Sequence, residues 1–210
     1  MENISKNTAE KLLQIKAIKL QPSNPFTWAS GWNSPIYCDN RKTLSYPDVR
    51  AYIRDSFVHI IKEKYPNVEV IAGVATGAIA LGVLVAEAMN LPFIYIRSTS
   101  KGHGLQNTIE GAYESGQKVV VIEDLVSTGG SSLKAVEALR DANIDVLGML
   151  AIFTYGFKVA TDNFTKAKIK LTTLSDYNAL IEHASKIDYI KEADKATLSE
   201  WRIAPDKWGK

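Results

Sequence analysis

The chain has 210 residues, which is enough for one α/β domain with a full hydrophobic core. Hydrophobic residues make up 46%, charged residues 23% and the net charge is +2, so the composition is that of an ordinary globular protein and gives no basis for non-specific nucleic-acid binding. Cys38 is the single cysteine, which excludes an internal disulfide, and neither a signal-peptide pattern nor a membrane-length apolar run is found, so we expect a cytoplasmic location.

The N-terminal part is predicted to form a helix and a small hood, residues 1–45. Asn7 and Glu10 have the spacing of a helix cap and favour a helix that extends to about Lys16. Residues 18–36 contain several prolines and a glycine, which indicates short extended pieces rather than a long strand. We therefore expect this part to cover one side of a larger unit.

The larger unit, residues 46–210, alternates between helical and strand patterns within one compact domain. Pro47 begins a helix whose apolar face is Val49, Ile53, Phe57 and Ile60. Next are predicted a strand at 70–74, a helix at 79–89, strands at 93–96 and 119–122, a helix at 131–142, a strand at 146–153, a helix, a strand at 171–174 and a helix capped by Ser175. This alternation favours a doubly wound parallel sheet flanked by helices. The last segment should be helical and then irregular, with Trp201 and Trp208 anchoring it to the domain.

The segment from Lys118 to Ser132 combines a strand, two carboxylates and a glycine-rich loop. Val119–Ile122 is continuously apolar, as expected of a strand buried on both faces, and Glu123 and Asp124 are predicted at its end. The following loop and helix N-terminus offer backbone N–H groups to an anion. Carboxylates repel phosphate but can bind sugar hydroxyls or a metal ion. The combination therefore indicates a sugar phosphate, whereas the alternative is an ordinary strand–turn–helix crossover.

This segment resembles the 5-phosphoribosyl 1-diphosphate (PRPP) motif of type I phosphoribosyltransferases. The resemblance implies the α/β fold of that family, an acid pair that holds the ribose hydroxyls and a loop that wraps the 5′-phosphate. The implied PRPP-binding residues of the motif are Glu123, Asp124, Leu125, Val126, Ser127, Thr128, Gly129, Gly130 and Ser131. The chain has no G-x-x-x-x-G-K-[ST] and no G-x-G-x-x-G after a strand, which excludes a P-loop hydrolase and a redox dinucleotide enzyme.

A second polar segment begins after the strand at 93–96. Its glycines and its basic residues Arg97, Lys101 and His103 are typical of a lid that binds an anionic leaving group, although a solvated basic loop is the alternative. The pattern R-x-x-x-K-x-H-G resembles the mobile catalytic loop of orotate phosphoribosyltransferases. The resemblance implies transfer of phosphoribose from PRPP to orotate, with Mg²⁺ and with Lys101, His103 and Asp124 as catalytic residues. It also implies a homodimer in which each loop closes over the partner's site.

Two further segments resemble the same family. Phe26–Pro35 is similar to the stretch F-T-L-x-S-G-x-x-S-P over the base site, which implies that Ser30 and Gly31, together with Ser127, contact orotate. Gly73–Ala78 is similar to the pyrophosphate loop. Either segment by itself could also be a simple hairpin or a tight turn.

Four positions depart from the family pattern, because better-known members often carry basic residues there. These positions are Ala29, Gly77, Ser98 and Tyr155, and Arg41 and Lys42 are candidates to compensate. Two alternatives follow: a phosphoribosyltransferase for another base, and a non-catalytic PRPP-binding regulator. No His, Cys and Asp cluster has metal-site spacing, so Mg²⁺ is expected to arrive with PRPP, and His59 and His183 are expected at helix surfaces.

Overall fold

The computed structural model describes residues 2–28, 31–97 and 108–209. The helices are α1 (Glu2–Gln14), α2 (Pro47–Lys64), α3 (Ile79–Met89), α4 (Gly130–Asp141), α5 (Lys158–Lys166), α6 (Tyr177–Lys186) and α7 (Asp194–Ile203), with a 3₁₀ helix at Asn40–Ser45. The strands are β1 (Ile18–Leu20), β2 (Phe26–Thr27), β3 (Asn33–Ser34), β4 (Ile36–Cys38), β5 (Val70–Val74), β6 (Phe93–Ile96), β7 (Ile109–Glu110), β8 (Lys118–Val126), β9 (Asp145–Thr154) and β10 (Leu171–Asp176).

A six-stranded sheet with the order β10-β9-β8-β5-β6-β7 forms the centre of the domain. Its strands are parallel except that β7 runs antiparallel to β6. Residues along the central strands alternate between the two faces: Val120 and Ile122 pack with α2 and α3, whereas Val119 and Val121 pack with α4 and α5. Both faces are therefore covered by helices, and the predicted doubly wound parallel sheet is confirmed.

The N-terminal residues combine a helix with two small antiparallel ribbons. Strand β1 pairs with β4, and β2 pairs with β3. Ala9 and Leu12 of α1 are fully buried in the same core as the sheet face that holds Val120. The ribbons lie at the carboxyl-end side of the sheet, where Asn40 reaches Asp124 of β8. The division of the chain at residue 45 stays a prediction, since α1 shares the core of the larger unit.

Two predicted helix caps were wrong. Helix α1 begins at Glu2, so Asn7 lies inside it and cannot cap it; the residues before Asn7 contain no helix breaker. Helix α6 is capped by Asp176, whose carboxylate accepts a hydrogen bond from the backbone N–H of Ala179 at 3.0 Å. Ser175 is still part of β10, and its hydroxyl is buried with no hydrogen-bond partner among the described residues.

Two placements of polar residues were also wrong. Glu123 and Asp124 do not end their strand, because β8 continues to Val126, which pairs with Thr154 of β9. His183 is buried, and it lies on a helix that packs against α1. The exposed position of His59 and the burial of Trp201 were predicted correctly. Within the ranges given above, no helix is both long and apolar enough to cross a membrane.

Candidate active site

A cleft of about 1160 Å³ lies at the carboxyl ends of β5, β6 and β8. This is the edge of an open α/β sheet where ligands bind. The residues that carry the chemistry of its walls are Thr76, Gly77, Arg97, Thr108, Glu123, Asp124, Leu125, Gly130 and Ser131. The structure thus brings together the predicted acid pair, the start of the phosphate loop and the arginine that precedes the predicted lid.

The two neighbouring carboxylates have different environments. Glu123 is 5% exposed, and its carboxylate accepts a hydrogen bond from the Ser132 hydroxyl at 2.9 Å and one from the Asp124 backbone N–H at 3.0 Å. Burial raises the pKa of Glu123 to about 8, and the neighbouring Asp124 carboxyl adds to the increase. Asp124 is partly exposed to the cleft. Asp124 is therefore the better placed of the two to bind a ligand.

The loop after β8 leads directly into the N-terminus of α4. Gly129 has a left-handed conformation (φ +82°), and a side chain there would meet the Phe164 ring at 2.8 Å, so the tight turn requires glycine. Gly130 and Ser131 are exposed and line the cleft, and the first N–H groups of a helix have no partner inside it. This arrangement fits a phosphate group.

The other predicted members of the motif have supporting positions. Val126 is fully buried, and its carbonyl oxygen accepts a hydrogen bond from the Thr154 hydroxyl at 3.0 Å. The carbonyl oxygen of Thr128 accepts one from the Asn163 side chain at 3.2 Å. The side chain of Val126 therefore cannot reach a ligand, and both residues tie the loop to neighbouring elements. Their predicted contacts with PRPP stay predictions.

The turn after β5 packs against Asp124. A Cβ atom at Gly77 would lie 2.5 Å from the Asp124 carboxyl carbon, so any larger residue would displace that side chain. This close approach gives a physical reason for the absence of a basic side chain at Gly77. The peptide bond between Ala75 and Thr76 of the same turn is cis.

The segment that carries Lys101 and His103 starts and ends at the cleft. Arg97 and Thr108 both line it, and the Arg97 backbone N–H donates to the Thr108 carbonyl oxygen at 2.8 Å. The Arg97 guanidinium also lies 3.3 Å from the Glu110 carboxylate. Lys101, His103 and Ser98 lie outside the described residues.

A smaller pocket of about 280 Å³ adjoins the cleft on the hood side. It shares Cys38 and Leu125 with the cleft and is otherwise lined by Thr27, Trp28, Tyr37, Ser127 and Tyr155. Ser127, which is predicted to contact the base, therefore lines this pocket, and its contact with orotate stays a prediction. Gly31 lies at the exposed turn between β2 and β3 (φ +81°) and Ser30 is outside the described residues, so these two contacts stay predictions.

The aromatic walls of this pocket were missed by the sequence reasoning. Trp28 and Tyr155 are 127 positions apart in the sequence, and their ring centroids are 5.2 Å apart in the structure. The motif around Trp28 was recognised, but the tryptophan in it was not singled out. Tyr155 was noted only because related proteins often have a basic residue at that position. Flat aromatic walls fit a planar ring.

The 3₁₀ helix after β4 connects the two pockets. The Asn40 side chain is 1% exposed; its amide donates to the Asp124 carbonyl oxygen at 2.7 Å and its oxygen accepts from the Cys38 thiol at 3.3 Å. Arg41 lines the cleft and pairs with Asp39 at 2.7 Å, whereas the Lys42 ammonium donates to the carbonyl oxygen of Lys16. Arg41 is thus the better placed of the two residues expected to compensate for missing basic groups.

A parallel sheet with a phosphate loop, a cleft-facing carboxylate and an adjoining aromatic pocket defines the class of phosphoribosyltransferases. Residues 44–184 match the family described as phosphoribosyl transferase domain. The chain is 59% identical over 208 residues to an orotate phosphoribosyltransferase of Bacteroides fragilis, covering 99% of this chain and 98% of that one. It is 56% identical over 209 residues to one of Porphyromonas gingivalis, covering 100% of both.

A solved structure agrees with these relatives. The structure of orotate phosphoribosyltransferase from Aeropyrum pernix superposes with a TM-score of 0.76 at 25% identity, covering 87% of this chain and 99% of that one. The chain belongs to the orotate phosphoribosyltransferase family. The recognition made from the sequence motifs is therefore confirmed.

Proposed function

We propose that this chain transfers the 5-phosphoribosyl group from PRPP to orotate, giving orotidine 5′-monophosphate and pyrophosphate, in the biosynthesis of UMP. Family membership supports the reaction, and one structural observation supports its location. The cleft with the phosphate loop and the aromatic pocket meet at Cys38 and Leu125. A sugar phosphate in the first and a planar base in the second would therefore have their reacting atoms at the junction.

In the proposed complex, the ribose phosphate occupies the cleft. The N-terminus of α4, with Gly130 and Ser131, receives the 5′-phosphate. Asp124 accepts hydrogen bonds from the ribose hydroxyls, and a bond of this charge-assisted kind contributes about 1.5–3 kcal/mol. Glu123, bound to Ser132, supports the backbone of its neighbour.

The base occupies the aromatic pocket. Trp28, Tyr37 and Tyr155 would contact the faces and edges of the ring, and the Ser127 hydroxyl would bind a polar group on it. As the bond between C1 and the pyrophosphate oxygen breaks, its electron pair leaves with pyrophosphate. The N1 atom of orotate then forms the new bond to C1 and loses its proton to solvent.

The segment after Arg97 is proposed to neutralise the charge that develops on the leaving oxygen. Arg97 and Thr108 place both ends of this segment at the cleft. Lys101 and His103 would then supply a positive charge and a proton donor. This assignment rests on the loop pattern and on the position of its ends.

Mg²⁺ is proposed as the cofactor, carried by PRPP. Among the described residues, no group of three or more His, Cys, Asp and Glu side chains could hold a metal ion. Asp124 is the described carboxylate best placed to help hold the ion, because it would bind the ribose hydroxyls of PRPP. The ligands of the ion itself would be oxygens of PRPP and water. The bound ion would neutralise charge on the pyrophosphate. A homodimer that shares its loops and a cytoplasmic location are further parts of the proposal.

The test follows the ultraviolet absorbance of orotate when purified protein is mixed with PRPP, Mg²⁺ and orotate. A fall in absorbance that excess pyrophosphate reverses is the expected result. No change, with binding of PRPP still measurable by calorimetry, would contradict orotate as the acceptor and lead to adenine, guanine and hypoxanthine as acceptors. The same assay without PRPP is the control.

A further inference from the structure

The C-terminal helix α7 contacts the hood from the opposite end of the chain. The indole N–H of Trp201 donates to the carbonyl oxygen of Asn33 in β3 at 3.2 Å. The Asn33 side chain in turn donates to the carbonyl oxygen of Gly209 at 3.2 Å. Trp201 and Gly209 lie beyond residue 184, where the match to the phosphoribosyl transferase domain ends. The tail thus holds a hairpin that adjoins the aromatic pocket.

Trp201 also supports two walls of that pocket. Its side chain is fully buried, and its ring centroid lies 5.6 Å from that of Trp28 and 5.7 Å from that of Tyr155, both in edge-on geometry. Such edge-to-face pairs are worth more than the burial of their area alone. Trp28 and Tyr155 come from separate parts of the chain, and Trp201 contacts both.

Arg202 fixes the backbone on which Tyr155 stands. Its Nε donates to the Tyr155 carbonyl oxygen at 3.2 Å, and a terminal nitrogen donates to the Gly156 carbonyl oxygen at 3.3 Å. The other terminal nitrogen donates to the Asn178 side chain at 2.6 Å. Gly156 has φ +65°, and a Cβ atom there would lie 2.9 Å from the Arg202 guanidinium. The turn after β9 therefore packs tightly against this arginine.

We propose that Trp201 and Arg202 of the C-terminal tail are positioning residues for the base pocket, which hold Trp28 and Tyr155 against each other as the aromatic wall that a planar base would contact. The proposal rests on the proposed function, because it assigns the base to this pocket. Neither residue lines the pocket itself. Their effect should therefore appear in the binding of the base and not in the binding of PRPP, whose cleft lies on the other side of Leu125.

The test compares Arg202→Met, Arg202→Lys, Trp201→Phe and the control Ile203→Ala, since Ile203 is on the same helix and is 84% exposed. We expect Arg202→Met to raise the KM for orotate about tenfold and to leave the KM for PRPP within about twofold. Trp201→Phe should have a smaller effect of the same kind, and Arg202→Lys should recover part of the loss. Equal increases in both KM values, or a lower melting temperature with no change in the KM for orotate, would overturn the proposal.

A second readout needs no activity. Hydrogen–deuterium exchange should become faster in the peptides that cover residues 26–37 and 153–157 of Arg202→Met, and should stay unchanged in Ile203→Ala and in the peptide that covers α2. Unchanged exchange in the first two peptides would overturn the tail proposal by itself. A wild-type protein that does not consume orotate would contradict the proposed function, and the exchange measurement would still decide the role of the tail.

Discussion

Glu123 and Asp124 show how much neighbouring residues on a strand can differ. Successive side chains of a strand point to opposite faces. Glu123 therefore points toward Ser132 of α4 and is buried, whereas Asp124 packs against Gly77 at the cleft. A sequence motif that treats the two acids as an equal pair does not contain this difference, which depends on the strand continuing to Val126.

Glu123→Gln should make the unliganded protein more stable in alkaline solution. The pKa of Glu123 is about 8 in the fold and 4.5 for an ordinary carboxyl group, because burial favours the neutral form. A group with a raised pKa contributes stability that is fully present at pH values below 4.5 and is lost as the pH rises to 8. The variant lacks this loss, so at pH 8 its free energy of unfolding should exceed that of the wild type by on the order of 4 kcal/mol.

Urea unfolding at several pH values measures this difference. Glu200→Gln, which changes an exposed carboxyl group on α7, is the control and should follow the wild type. If the free energies of unfolding of Glu123→Gln and the wild type differ by the same amount at every pH, the raised pKa of Glu123 would be contradicted.

Gly77→Ala should impair PRPP use through Asp124. The new Cβ would lie 2.5 Å from the Asp124 carboxyl carbon and push that group out of place. We expect kcat/KM for PRPP to fall roughly tenfold, the cost of one weakened charge-assisted hydrogen bond. In an Asp124→Ala background, which is itself impaired, the added methyl group should cost almost nothing. The double-mutant cycle shows whether Gly77→Ala acts through Asp124 or by itself. Equal losses of kcat/KM in both backgrounds would show that Gly77 acts independently of Asp124.

At the scale of elements, the sequence predicted the buried parts best. The strands at 70–74 and 93–96 and the helix at 79–89 were placed at the observed bounds, and the preceding helix was placed at its observed start, Pro47, because their apolar residues repeat with a clear period and are bounded by turn residues. Errors occurred where contacts between distant segments determine how far a strand extends or whether a side chain is buried. β8 and β10 extend further than predicted because they pair with β9, and His183 is buried on α6, a helix that packs against α1.

The candidate site likewise contains residues that the sequence predicted and residues that only the folded structure brings together. Local motifs identified Asp124, Ser127 and the loop into α4, since these residues are consecutive or nearly so. The aromatic pocket could not be derived from spacing, because Trp28, Tyr155 and Trp201 meet only after the hood, the sheet and the tail are assembled. No local pattern joins residues so far apart.

The prediction for a single element concerns the segment that joins β6 to β7, which carries Lys101. Lys101→Ala should lower kcat by about 100-fold or more, as does the loss of a donor aimed at developing charge, and should change the affinity for orotate by less than about threefold. Steady-state kinetics and orotate titration measure the two effects. Lys166→Ala removes an exposed lysine of α5 and is the matched control. Unchanged turnover in Lys101→Ala would contradict the lid assignment.

At the scale of the whole molecule, the site is assembled from distant parts of the chain. Strand β4 and the 3₁₀ helix contribute Cys38 and Arg41, β8 contributes Asp124, and the turn after β5 contributes Gly77. Arg97 and Thr108 also line this cleft, and the segment that carries Lys101 and His103 lies between them in the sequence. A homodimer in which this segment closes over the partner's site would therefore require two chains for each complete site.

Mixing two impaired variants tests this requirement. Lys101→Ala has a defective loop and an intact cleft, whereas Asp124→Asn has an intact loop and a defective cleft. If loops act on the partner's site, each mixed dimer has one site with both parts intact. Random exchange makes about half of the dimers mixed, so activity should recover to about one quarter of the wild-type value. If loops act within their own subunit, every site in a mixed dimer keeps one defect.

The controls are each variant carried alone through the same mild denaturation and refolding, with native mass spectrometry to count the mixed dimers. Activity that stays at the sum of the two variants while mixed dimers are abundant would contradict loop sharing and place Lys101 beside the Asp124 of its own chain.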